Sequence, residues 1–374
     1  MALRLSLALG TVLLTLGCSD SPGLSGVATP DAGPTGIGGT TGSTTTSSGV
    51  DAGSTSGSSS GTSSRTTTSS SSTHAGTSSG SSGGSTTDAP IGPDGGVVGL
   101  LHFGAAGDTR PGSSNDAGIA AYPEAIIDGI ANAFGQAKVQ FVLDLGDHMN
   151  NWEQVSSAKG QMDIYQKAMA LFPGQWFLTM GNHECDTTAE VCVPGTGQTG
   201  STAGNFTTFL AAVAKTGVGD LPWYSFDIQT SMGLARFVVI ADNAWCPAQQ
   251  TWLQNVLTQA DTLAAYTIIA RHHPPDDTSN GDATDLTEIC TIVRQHKFAL
   301  WLTAHVHEYL HIPSKDGNRD VIMGGAGAPL GAASNAQAFY GYLIVDQLPS
   351  GDLQVTAWDS TTSVQMDQWT VGPN

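Results

Sequence analysis

Basic residues are what this chain most lacks: 13 Lys and Arg face 32 Asp and Glu over 374 residues, a formal net charge of -19. Nucleic-acid surfaces neutralise phosphates with clustered Lys and Arg, so this balance argues against that class of partner. Long apolar runs are missing too. The one candidate, Leu5 to Leu16, is too short to span a bilayer. Charge of either sign is scarce before Val97, where Arg4 and Arg65 stand against five Asp. The acidity therefore belongs to the remainder, where it favours solubility outside the cell. From Ser19 to about Gly96 the chain is Ser, Thr, Gly and Ala with scattered Pro and Asp. Nothing there can bury enough apolar area to offset chain entropy. It reads as a flexible tether with a typical reach of roughly 50 Å.

The first residues have the form of a secretory signal: Arg4, the apolar run, then Gly17-Cys18. A small residue before cysteine resembles a bacterial lipobox, in which the cysteine is lipidated and becomes the new N-terminus. Thr15 departs from the leucine usual in that motif. Ser19 rather than Asp follows the cysteine, which in lipoproteins of two-membrane bacteria permits sorting to the outer membrane. The expected organisation is a signal over residues 1–18, a linker over 19–96 and one large α/β domain over 97–374. The expected location is extracytoplasmic, anchored to the outer membrane by lipid alone, or periplasmic or secreted without lipidation.

Beyond Cys18 there are four cysteines, an even count that suggests two disulfides in an exported chain. Cys185–Cys192 would close a short loop, leaving Cys246–Cys290 as the second pair. The spacing matches no zinc ribbon.

Apolar runs alternate with helix-spaced segments through the remainder. Val97–Phe103, Val139–Leu145 and Trp176–Leu178 predict strands; Ala117–Phe134, with Pro123 in its first turns, and Met162–Leu171 predict helices. A Gly/Thr/Pro-rich loop follows Glu184, then a short helix over Phe206–Lys215. Trp223–Ile228 and Ala235–Ala241 read as strands joined by a turn. Gln249–Leu263 is an amphipathic helix with Trp252, Leu253, Val256 and Leu257 on one face. Tyr266–Ala270 and Phe298–Thr303 predict strands flanking a helix over Leu286–Gln295. Val321–Met323, Ala338–Asp346 and Leu353–Trp358 predict a second, more antiparallel set.

Polar clusters sit where these strands end: Gly107-Asp108-Thr109-Arg110, Gly146-Asp147-His148, Gly181-Asn182-His183-Glu184, His272-His273-Pro274 and His305-Val306-His307. That is how an open α/β sheet collects a site. Asp108, Asp147, Asn182, His272, His305 and His307 supply oxygen and imidazole nitrogen without thiolate, a mixture that suits Mn, Zn or Fe. Two metals roughly 3.5–4 Å apart need a bridging ligand, for which the central Asp147 is the natural choice. Two divalent or mixed-valence ions less two carboxylates leave positive charge for a phosphate dianion, and water bound to such ions is acidified. In-line hydrolysis of a phosphate ester is the chemistry this favours.

The order and approximate spacing of these motifs resemble the calcineurin-like metallophosphoesterase superfamily over about Val97 to Trp358. Tyr224-Ser225-Phe226-Asp227, Gln249 leading to Trp252-Leu253, and Tyr309 after the paired histidines are most similar to its purple acid phosphatase branch. The resemblance implies a four-layer α-β-β-α sandwich with mixed sheets. It implies that Asp108 and His307 ligate a first metal, that Asp147 bridges, and that Asn182, His272 and His305 ligate a second. It implies that His183 binds phosphate oxygen and protonates the leaving alkoxide. The implied activity is hydrolysis of phosphate monoesters on a phosphorylated small molecule or other ester. A phosphodiesterase is the alternative within the fold, and a catalytically weak surface binding module the alternative outside enzymology.

Three departures bear on this reading. Arg110 stands where most of the superfamily has a histidine ligand; a guanidinium cannot ligate a metal and is expected to clamp phosphate. Asn150 replaces the tyrosine of the purple branch, as a weak ligand or as a residue orienting His183. Ala304 replaces the glycine before His305. His148, His273 and Glu184 adjoin ligands as candidate supports. His102, His296 and His311 read as structural. Asp276, Asp277, Asn280 and Asp282 form a polar loop. Gly324-Gly325-Ala326-Gly327 lacks a P-loop lysine and reads as a tight turn. Trp152 and Trp245 suit either a cleft or the core.

Overall fold

The structure, a computed structural model, describes residues 90–113, 115–150, 155–185, 192, 203–275, 283–312, 317, 319–331 and 337–374. In chain order the strands begin with β1 Gly95–Val97, β2 His102–Ala106, β3 Phe141–Asp144, β4 Gln175–Leu178, β5 Tyr224–Thr230, β6 Gly233–Val239 and β7 Ala264–Ala270. They continue with β8 Leu300–Thr303, β9 Tyr309–Ile312, β10 Asp320–Met323, β11 Gly341–Gln347, β12 Leu353–Asp359 and β13 Gln365–Val371. The helices are α1 Asn115–Ala120, α2 Glu124–Ala137, α3 Val155–Met169, α4 Ala203–Thr216, α5 Pro247–Leu263 and α6 Ala283–Arg294. None of the described helices is long and apolar enough to cross a membrane.

The strands form two mixed sheets, ordered β1-β5-β6-β7-β8-β10-β9 and β13-β12-β11-β2-β3-β4. Side chains alternate across a strand, and the inner strands are apolar on both faces, so each sheet needs cover on both sides. On β6, Phe237 and Val239 join the cluster between the sheets, while Val238 and Ile240 just beyond join the one under α5 and α6. Leu300 and Leu302 face inward on β8 and Trp301 outward. Phenylalanines close the middle layer: Phe226 stacks on Phe177 at 3.6 Å and on Phe237 at 4.7 Å, and Phe141 meets Phe237 edge-on. On the opposite face Phe134 of α2 packs edge-on against Trp176 and Tyr342. The result is the four-layer sandwich, helices outside and two sheets within.

Pairing sets the strand ends level. Ala106 pairs with Asp144 and Asp144 with Leu178 across β2-β3-β4; Val239 pairs with Ala270 and Ala270 with Leu302 across β6-β7-β8. All these pairs are parallel, so Asp108, Asp147, Asn182, His272 and His305 leave the sheets at their carboxyl ends, the side where open α/β sheets bind ligands.

Several sequence expectations need correction. The predicted helix over Ala117–Phe134 is two, α1 and α2, broken at Pro123. Proline clashes with the preceding turn and biases Tyr122 away from helical geometry, and it becomes the N-cap of α2. The predicted strand Val97–Phe103 is also split, into β1 in one sheet and β2 in the other. The late strands are not a set of their own: β10 adds to β8 in parallel, whereas β11 and β12 extend the sheet of β2. α3 begins seven residues before the predicted Met162, through a Ser/Gly stretch of low helix propensity. There Gly160 lies so close to α1 that an added Cβ would meet Ile119 Cδ1 at 2.6 Å. Cys185 and Cys192 are bonded, but Cys246 is a half-buried free thiol, so the pair Cys246–Cys290 is not formed.

Candidate metal centre

Four of the six non-glycine residues with positive φ among those described are Asp108 (61°), Asp147 (61°), His305 (70°) and His307 (49°). Left-handed backbone costs an L-residue on the order of 1–2 kcal/mol and persists where its surroundings over-determine it. Here they do. Asp108 N–H donates to Gly146 O and Arg110 N–H to Asp147 O, so the first two loops brace each other. Ala326 and Ala328 donate to Gly107 O and Asp108 O, which makes the Gly324–Gly327 stretch a turn clamped onto the first loop. His305 N–H donates to Asp108 Oδ2 at 2.7 Å, and His183 N–H to Asp147 Oδ1 at 3.0 Å. Gly181 fits because nothing larger does: a Cβ there would meet Asp147 Oδ1 at 2.1 Å.

These loops bring two donor groups together, Asp147-His272-His305 and Asp108-Asp147-His307, each within 4.8 Å and each able to hold a metal ion. Nδ1–H of His272 donates to Leu145 O at 2.8 Å, which leaves the lone pair on Nε2. That atom lies 3.1 Å from Asn182 Oδ1, 3.3 Å from His305 Nδ1 and 3.3 Å from Asp147 Oδ1. Asn182 Oδ1 is also 3.1 Å from His305 Nδ1. A metal–ligand length of about 2.1 Å places neighbouring donors roughly 3.0–3.4 Å apart at octahedral or tetrahedral angles. Lone-pair atoms crowded at that spacing fit a shared cation. In the other group, His307 Nδ1–H donates to Pro329 O at 2.9 Å, turning Nε2 toward Asp108 Oδ1 at 3.4 Å. Asp108 Oδ1 is buried and accepts no hydrogen bond, as suits a ligand atom.

The electrostatics agree. Burial would raise the Asp147 carboxyl, but His272, His183 and Arg110 hold it well below the usual carboxylate range. Burial would lower the His272 imidazole, yet Asp147 beside it, with Asp108 and Asp242, pushes it well above its ordinary value. For both groups the opposite charges within the site outweigh the effect of burial.

Arg110 is seated deeper than a surface phosphate clamp would be. It is buried, with Nε 3.3 Å from Asp147 Oδ2 and Nη2 3.1 Å from His307 Nε2. His183 Nε2 lies 3.7 Å from Asp147 Oδ2. Asn150 donates its amide to Pro111 O, on the loop of Arg110, and the residue that ties the His183 loop is Asn205, donating to both His183 O and Asn150 O. No motif marks Asn205 in the sequence. Of the support behind Asp147, the sequence marks His148 and Glu184 as neighbours of ligands but neither Asp144 nor Tyr165. Glu184 accepts backbone N–H from Gly181, Asp147 and His148, while His148 lies between Glu184 and Asp144, with Tyr165 donating to Asp144.

His273 binds Asp242 through both its backbone N–H and Nδ1. Trp245 donates to Glu288 and packs on the α5–α6 cluster. His102 pairs with Asp346, His296 with Asp261, and His311 stacks on Trp369. Trp152 and the loop of Asp276, Asp277, Asn280 and Asp282 lie outside the described residues.

The chain matches calcineurin-like phosphoesterase over residues 101–309, a span holding all six donor residues. Comparison with curated protein sequences returns no match. Among solved structures it is similar to GAP50, the anchor in the inner membrane complex of Plasmodium, with TM-score 0.51 and 11% identity over 74% of this chain and 90% of that one. It is also similar to the purple acid phosphatase PPD1 from seeds of yellow lupin, Lupinus luteus, with TM-score 0.53 and 18% identity over 72% of this chain and 53% of that one. The chain therefore spans about half the length of the lupin protein, and at these identities both likenesses are of fold. The family match covers more than half the sequence and runs from the start of the site to its last histidine: the chain belongs to the calcineurin-like phosphoesterase family.

Proposed function

We propose that this protein is an exported, metal-dependent phosphomonoesterase with a dinuclear centre. The observation that carries it is the pair of buried donor groups sharing Asp147, with the His183 imidazole beside them. The donor set suits Mn, Zn or Fe, and ions held there would supply charge neutralisation for a phosphate and acidity to water. Asp147 belongs to both groups; Asp108 and His307 complete the first, and Asn182, His272 and His305 the second. Arg110 brings a fixed positive charge toward the phosphate oxygens. His183 donates a proton to the leaving oxygen, its main chain pinned by Asp147 on one side and Asn205 on the other.

His183→Ala is expected to lower kcat about 10²-fold on alkyl phosphates. The loss should be smaller on p-nitrophenyl phosphate, whose leaving group needs no proton. Equal losses on both would remove the proton-donor role. A chain that turns over bis-p-nitrophenyl phosphate and spares the monoester is a diesterase instead. Turnover of neither favours a weak binding module, the reading to which the buried seat of Arg110 lends support.

Export rests on the first 18 residues alone, with Cys18 the proposed lipidation site. In a bacterial host, Cys18→Ser is expected to shift the protein from the membrane to the soluble extracytoplasmic fraction. An unchanged membrane fraction would remove the lipid anchor.

A further inference from the structure

We infer that Arg110 competes with metal for the first position, which makes the centre unequal: one tightly held ion, and a second that binds only when the guanidinium gives way. This rests on the metal-dependent reading above. His307 donates through Nδ1 to Pro329 O and so has a single ring lone pair, on Nε2. Arg110 Nη2 takes that lone pair at 3.1 Å, while its Nε contacts Asp147 Oδ2 at 3.3 Å, the carboxylate oxygen turned away from the second group. One lone pair serves one partner, a metal or an N–H. The guanidinium therefore draws on two of the three side chains that a first ion would need, and it carries a positive charge of its own. Asp108 Oδ1, the third donor, has no hydrogen-bond partner, so the position keeps an unfilled ligand for an incoming ion.

The second position is built without this conflict. Asn182, His272 and His305 face one another and Asp147 Oδ1, whereas Nε and Nη2 of the arginine reach Asp147 Oδ2 and His307 on the first side. The side chain is also buried and packed beside Pro111, whose carbonyl accepts from Nη1, so release means moving the loop of residues 109–111. A phosphate bound across the site would stabilise the released guanidinium by bidentate hydrogen bonds. Metal loading and substrate binding would then be coupled through one residue.

The test is Mn²⁺ titration of the full chain by calorimetry, with bound metal counted after dialysis and electron paramagnetic resonance to detect spin-coupled ion pairs. Wild type is expected to bind one ion tightly and a second at least roughly tenfold more weakly, a range typical of outer contacts on metal ligands. At limiting Mn²⁺ its spectrum should be uncoupled. Arg110→His is expected to close the gap and give a coupled spectrum. Arg110→Ala, which adds no ligand, should tighten the second ion by a smaller factor and guards against a misfolded histidine variant. Two ions of equal affinity in wild type would overturn the inference and leave the metallophosphoesterase reading intact. So would a gap unchanged in both folded variants. Failure of all three proteins to bind any Mn²⁺ would overturn the inference and the metal-dependent reading together.

Discussion

Asp147→Asn is expected to strip the protein of activity and of metal while leaving it folded. The carboxylate is fully buried and both of its oxygens are engaged. Oδ1 accepts from His183 N–H and faces His272 Nε2, while Oδ2 faces Arg110 and the His183 ring. Asparagine keeps the shape but loses the charge, and it turns an NH₂ toward one of these already positive or donor-rich sides. Both donor groups contain this residue, so neither survives intact. Metal charge stabilisation is worth several kcal/mol, and each 1.36 kcal/mol is tenfold in rate, so kcat should fall by at least about 10³-fold. Metal counted after dialysis should fall in parallel, with far-ultraviolet circular dichroism unchanged. A variant that keeps wild-type metal and rate would place the chemistry elsewhere.

The second large effect is on stability. His148→Leu is expected to cost about 3–5 kcal/mol, the range for removing one partner of a buried ionic group. His148 lies 2.9 Å from Asp144 and 3.3 Å from Glu184, as ion pairs whose angles fall short of hydrogen bonds, and all three side chains are buried. Burial alone would lower the imidazole, but Asp144 and Glu184 push it up to about 10. Without it two carboxylates remain enclosed, and Glu184 is the one that holds the Gly181, Asp147 and His148 N–H groups in place. The pH dependence carries a sign. A group raised from 6.5 to about 10 on folding contributes fully below pH 6.5 and loses that contribution as pH rises through 10. Urea unfolding of wild type should therefore show stability falling on the alkaline side, a fall that the leucine variant lacks. Equal midpoints for the two proteins at pH 6 would mean that the network contributes nothing to stability.

Much of the centre is legible in the sequence because its donors follow strand ends in short clusters of glycine, aspartate and histidine. An apolar run that stops at such a cluster marks both a buried strand and the place where its loop emerges. Asp108, Asp147, Asn182, His272, His305 and His307 all carry that mark, and the fold brings them to one side of two sheets. Of the residues that hold them, Glu184 and His148 sit in the same clusters, and others do not. Asn205 lies on α4, Asp144 inside β3 and Tyr165 inside α3, and none sits in a cluster that sets it apart from ordinary polar or aromatic positions. Edge strands are hidden for a related reason. β13 is largely polar and exposed and owes its place to pairing with β12, and β9 is only half-buried beside β10.

The sequence by itself determined the family through the order of its motifs, and most of the strands and helices and the donor types, since local periodicity and turn residues act over a few positions. It also supplied Arg110 as a departure. Only the tertiary structure decided which sheet each strand joins, that Cys246 stays unpaired, and where the guanidinium goes. Those outcomes depend on contacts between residues far apart in the chain. Arg110 and His307 are separated by 197 positions, and their contact exists only because two loops from different sheets meet there.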